Sequence, residues 1–194
     1  SNNSSGSNQT WTGQGLIIDS DGMVTLFGIE ANNNQQFGAD IKATGQVSID
    51  NSIFSGNRAY KWSDEIGNII YDGYGLQLST PDDVSLSNVT ATGNSFYGAS
   101  LTTGDIAIDS SFFNNNGSGW NENQTGKGLF INSSESVALS NIEANNNQLY
   151  GATIQAVGDV SISSGFFSGN KVFTWSSEAG HTYYGYGLQV DTTE

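Results

Sequence analysis

Asp83, Asp105 and Asp109 are the carboxylates whose placement invites a chemical reading. Asp83 and Asp105 each stand directly before an apolar pair, Val84/Leu86 and Ile106/Ile108, and Asp109 follows the second pair. Asp159 holds the same place before Val160/Ile162. Where such pairs stack as neighbouring strands, about 4.8 Å apart, Asp83 and Asp105 could share a hard cation such as Ca2+ through oxygen ligands. The plainer expectation is a solvated acidic turn.

Aromatic residues form the second set. Tyr60, Trp62 and Tyr71 recur as Phe173, Trp175 and Tyr184 in two similar inserts, and Trp120 occupies a shorter one. Rings on loops beside acidic and amide groups can stack on sugar faces, or they can fold back to shield a sheet.

The groups needed for bond-breaking chemistry are sparse. The basic residues are Lys42, Arg58, Lys61, Lys127 and Lys171, and Arg58 and Lys171 each follow an Asn at matching places, so they obey the repetition. His181, the sole His, falls where the other insert has Asn68. With no Cys and no nucleophile–base arrangement, the sequence predicts no enzyme.

What must position these residues is a repeat. "GIEANNNQQFGADIKATGQVSID" from Gly28 returns as "NIEANNNQLYGATIQAVGDVSIS" from Asn141, 113 residues later. Gly-x-Gly-Leu recurs at Gly13, Gly73, Gly126 and Gly185, and each interval between recurrences holds two related units. Three short apolar pairs mark a unit, such as Leu76/Leu78, Val84/Leu86 and Val89/Ala91, with a Phe (Phe54, Phe113, Phe167) replacing the third pair in alternate units. Period-2 alternation over a few residues reads as strand, not helix. Fixed-period self-similarity reads as a solenoid.

Aligning the units places Asn34, Asn57, Asn94, Asn116, Asn147 and Asn170 in one column. Asn tolerates the left-handed conformation of a sharp bend, and stacked amides can bond along an axis as a ladder. Strict alternation also points Ile53, Phe112 and Phe166 outward as an apolar row suited to lateral association, unless a bulge buries them. Thr25, Ser48, Ser85, Ala107, Ala138 and Ser161 form an outward row of small residues, too poor in Thr to suggest ice binding.

The pattern "xGLxIxxxxxVxLxNIxAxxN" resembles the right-handed parallel β-helix repeats of the pectin-lyase-like superfamily, over nearly the whole chain. The resemblance implies an all-β, right-handed parallel β-helix solenoid with three short strands per coil, about six to seven coils and an Asn ladder. Members include polysaccharide lyases, hydrolases, phage tailspikes and long bacterial surface proteins, so function does not follow from fold. The expected organisation is a single β-helix segment over 1–194, with coil pairs 13–72, 73–125 and 126–184 and the start of a further coil at 185–194. The absence of polar caps suggests a window of a longer repeat protein, or ends covered by neighbours.

A net charge of −14 argues against nucleic acid and anionic membrane surfaces, and no apolar run is long enough to span a bilayer. The expectation is therefore a structural extracellular fibre or adhesin-like surface protein, self-associating or continued by further repeats. The rivals are a carbohydrate-binding module using the aromatic loops, and a non-catalytic part of a polysaccharide-active enzyme.

Overall fold

The computed structural model describes residues 13–58, 62–63, 69–70, 73–117, 126–171, 173–175, 181–183 and 185–193, with backbone alone for 62–63, 69–70, 173–175 and 181–183. The first apolar pair of each unit becomes one strand and the second becomes the next. The units open with β1 (Leu16–Ser20) and β2 (Val24–Phe27), then β3 (Ala39–Ala43) and β4 (Val47–Asp50). After a hairpin of β5 (Trp62–Ser63) and β6 (Ile69–Ile70) come β7 (Leu76–Ser79), β8 (Val84–Ser87), β9 (Ala99–Thr103) and β10 (Ile106–Phe112). The series continues with β11 (Lys127–Ser133), β12 (Val137–Glu143), β13 (Tyr150–Ala156) and β14 (Val160–Phe166). A second hairpin, β15 (Phe173–Trp175) and β16 (His181–Tyr183), precedes β17 (Tyr186–Thr192). No α-helix occurs among the described residues.

Each strand pairs in parallel with its counterpart one unit away. One sheet, here sheet A, runs β1-β3-β7-β9-β11-β13-β17, and the other, sheet B, runs β2-β4-β8-β10-β12-β14. Register follows the apolar pairs: Leu76 pairs with Ala99 and Leu78 with Leu101, while Val84 pairs with Ile106 and Leu86 with Ile108. The third apolar pair forms a narrower side. Single bridges link Glu30, Ile53, Thr90 and Phe112 there, and the extended ends of β10, β12 and β14 carry the pairing onward. The chain thus winds as a parallel β-helix with inward side chains stacked in columns. Burying them is the main driving force, and the core includes the fully buried Phe54 and Phe113.

The six aligned Asn form a continuous ladder. Nδ2 of Asn34 donates to Oδ1 of Asn57 at 2.9 Å, Asn57 to Asn94 at 3.0 Å, Asn94 to Asn116 and Asn116 to Asn147 at 3.1 Å, and Asn147 to Asn170 at 3.2 Å. The left-handed bend expected at these residues falls one position earlier, on Asn33, Gly56, Gly93, Asn115, Asn146 and Gly169, with φ between 56° and 67°. The reason is that each ladder residue from Asn34 to Asn147 also donates its backbone N–H to the neighbouring Oδ1, as Asn57 does to Asn94 at 2.9 Å. The preceding residue therefore makes the turn.

Hydroxyls close the turns between sheets A and B. The buried Thr80, Thr103 and Ser133 donate across to the carbonyls of Gly45, Asp82 and Gly104, which gives each buried hydroxyl a partner.

Outward alternation holds on the third side. Ile53 is 37% exposed, Phe112 40% and Phe166 63%, whereas Phe54 and Phe113, which follow the first two, are buried.

Candidate functional site

The outer face of sheet B carries a groove of about 740 Å³. Its floor is the row Ser48, Ser85, Ala107, Ala138 and Ser161, small because period-2 alternation puts Val and Leu inside and leaves these outside. Asp83, Asp105 and Asp159 line the groove at the strand entrances, and no basic side chain lines it among the described residues.

Parallel stacking brings Asp83 and Asp105 together, and the turn before β12 adds Glu135. Carboxylate oxygens of the three lie within 4.8 Å of one another, and all three residues are exposed. Asp83 accepts a hydrogen bond from Gln46 Nε2 at 3.2 Å, and Asp105 accepts the Ser136 backbone N–H at 2.7 Å. Glu135 is held by its own turn, its N–H donating to Ser133 Oγ at 3.1 Å. Repulsion from Asp105, with smaller contributions from partial desolvation and from Asp83, raises the Glu135 pKa above the ordinary carboxylate value. Three convergent oxygens with open solvent around them could hold a hard divalent cation that keeps several waters.

Asp109 stands apart from this trio. It lies further along β10, where its carboxylate accepts Ser110 Oγ at 2.8 Å and Asn141 Nδ2 at 3.2 Å. The Ser110 hydroxyl, then that of Ser140, holds its pKa below the ordinary range. Glu135 escapes a search for Asp before strands because it precedes Val137 by two residues. Its repeat counterpart is Asp82, and only an alignment of turn columns exposes it.

Of the aromatic candidates, Tyr60, Tyr71, Trp120 and Tyr184 lie outside the described residues, as do the side chains of Trp62, Phe173 and Trp175. The backbone places Trp62 opposite Ile70 in one antiparallel hairpin and Trp175 opposite His181 in the other.

A different aromatic array lines the entry to sheet A. Phe37 stacks on Tyr74 with ring centroids 5.6 Å apart, Tyr74 meets Tyr97 edge-on at 5.3 Å, and Tyr150 stacks on Tyr186 at 5.5 Å. Lys127 takes the ring position between Tyr97 and Tyr150. Its Nζ lies 4.4 Å from the Phe130 centroid, 5.2 Å from Tyr150 and 5.8 Å from Tyr97, within cation–π range. Burial pushes its pKa down. The stacked pairs Phe37–Tyr74 and Tyr150–Tyr186 cover one another's faces, which leaves those faces poorly suited to receive a sugar ring. The signal was in the sequence: Phe37, Tyr74, Tyr97, Lys127, Tyr150 and Tyr186 directly precede Gly38, Gly75, Gly98, Gly128, Gly151 and Gly187, which hold one place in successive units.

A family model described as a right-handed β-helix region matches residues 1–164, most of the chain. The chain belongs to the right-handed β-helix family. No curated protein and no solved structure matches it. In this β-helix the Asn ladder recurs coil after coil and the hydroxyl contacts recur at Thr80, Thr103 and Ser133, while the acidic trio and the ring cluster around Lys127 each occur once among the described residues.

Proposed function

We propose that this β-helix is a structural, non-catalytic segment of an extracellular or cell-surface fibre or adhesin-like protein, lengthened by further coils of the same kind or by self-association. The observation that carries this reading is uniformity. One strand order recurs from β1 to β17 and one ladder from Asn34 to Asn170, and an active site would be a departure from such a pattern. Parallel strand layers of this kind can be extended by backbone pairing, and a heterologous contact of that kind builds filaments. The acidity fits a partner set without nucleic acid or an anionic membrane. Electron microscopy of native material is the test. Fibres whose axial spacing corresponds to stacked coils support the proposal, and a monodisperse short particle inside the cell overturns it.

The second reading is glycan binding through the hairpins. It is favoured by the equivalent placement of Trp62 and Trp175 on hairpins at matching positions of the repeat. Trp62→Ala together with Trp175→Ala should then abolish retention on an immobilised glycan panel without lowering the melting temperature. A fall in melting temperature with no glycan retained by either protein assigns the rings to packing.

A further inference from the structure

We infer that the interior of this solenoid carries a two-letter code that fixes which coil can stack on which. Three of its columns alternate in size from coil to coil. On sheet A the first inward residue runs Leu16, Ala39, Leu76, Ala99, Leu129, Ala152 and Leu188 in stacking order. On the third side, backbone hydrogen bonds stack Ala31, Phe54, Ala91, Phe113, Ala144 and Phe167. The position two residues earlier runs Ile29, Ser52, Val89, Ser111, Ile142 and Gly165. A coil is thus of one kind, with Leu, then Ile or Val, then Ala, or of the other, with Ala, then Ser or Gly, then Phe.

The two kinds fit because each is large where its neighbour is small. Within a coil the Phe ring takes the room of the earlier side chain: a Cβ on Gly165 would lie 2.5 Å from Phe167 Cε2. Where that residue is Ser, its hydroxyl ties the layers. Ser52 Oγ accepts Ile29 N–H at 3.1 Å, and Ser111 Oγ accepts Val89 N–H at 3.0 Å. Large residues of one layer thus sit against small residues of the next.

The remaining inward columns do not alternate. Ile18, Ile41, Leu78, Leu101, Ile131 and Ile154 are all large, as are the sheet B pairs. On those columns alone, a coil could pair one place out of register, the hazard of any chain whose units look alike. The alternating columns forbid that slip, because it puts Phe on Phe and Ala on Ala. Only a shift by two coils matches. Coils are consequently recognised, inserted and lost in pairs, whether or not the chain serves as a fibre.

Two internal deletions test the code in the full chain. Removing residues 76–98 joins Gly75 to Ala99 and sets Phe54 beside Phe113. Removing residues 76–128 joins Gly75 to Leu129 and sets Phe54 beside Ala144. Although it loses more structure, the longer deletion should melt at the higher temperature with a sharper transition. A shorter deletion that melts at or above the longer one overturns the inference. Should both fail to fold, Val89→Ser with Ala91→Phe decides. That pair gives one coil the third side of the other kind without shortening the chain, and should lower the melting temperature by several degrees, whereas Val89→Ile, which keeps the kind, should leave it near the parent value. A converted chain that melts with the parent shows that no code exists.

Discussion

Oδ1 of Asn57 accepts two hydrogen bonds from Asn34, the side-chain Nδ2 at 2.9 Å and the backbone N–H at 3.0 Å. A single amide oxygen thus fixes both the side chain and the turn of the neighbouring coil. The same double contact joins Asn57 to Asn94 and Asn94 to Asn116.

Asn94→Ala should be among the costliest single truncations. It strands the backbone N–H and Nδ2 of Asn57 and the Phe54 carbonyl, to which Asn94 Nδ2 donates at 3.0 Å, and it leaves Asn116 Oδ1 with only the backbone N–H of residue 94. Each buried group left unpaired costs about 1–3 kcal/mol. Thermal melting should show a large drop, and an unchanged transition would mean that water satisfies the gap.

Gly98→Ala should strike the same ladder from the opposite side. A Cβ there would come 2.4 Å from the Gly128 carbonyl oxygen and 2.7 Å from Asn116 Nδ2. The carbonyl is backbone and cannot swing aside, so an overpacking cost of about 1–3 kcal/mol is expected. Denaturant unfolding measures it, and a neutral result would show that the coils separate easily.

Lys127→Met keeps the aliphatic stem between Tyr97 and Tyr150 and removes the ammonium from the Phe130 face. If the rings hold the cation, stability falls by about 0.5–1 kcal/mol. A rise would mean that desolvation of the ammonium outweighs its attraction to the rings. Denaturant titration near neutral pH distinguishes the two.

Glu135→Gln relieves the repulsion from Asp105 and Asp83. Because the folded-state pKa of Glu135 is raised above its ordinary 4.5, its protonated form is favoured by folding. Its stabilising contribution is present below that value and is lost as pH rises through the folded pKa. The variant should therefore melt higher than the parent at neutral pH, with the gap closing below pH 4.5. A pH-independent difference would assign the effect to packing.

Much of this architecture was legible in the sequence because its signals are periodic. The pairs Leu76/Leu78 and Val84/Leu86 announce strands by alternation, and their recurrence gives the register. The aligned Asn are conspicuous because a ladder demands the same residue at every step. Less was legible where the signal is local. The left-handed residue beside each ladder Asn is Asn or Gly with equal ease, so Gly93 and Asn115 look unrelated in sequence although they make the same turn. The hairpins holding Trp62 and Trp175 have strands of two and three residues, too short for alternation to register. Glu135 joined Asp83 and Asp105 only through the stacking of three turns, a relation that strand-based patterns do not encode.

The ladder also has a direction. Every side-chain contact along it runs from a donor Nδ2 to the Oδ1 of the Asn next in the chain. Six amide dipoles joined by five hydrogen bonds are therefore added head to tail, as peptide dipoles add in a helix, with their positive ends towards Asn170 and their negative ends towards Asn34. An otherwise repetitive rod thereby acquires two electrically distinct ends. A coil arriving upside down would set amide donor against donor, so the rod can be extended in one sense only.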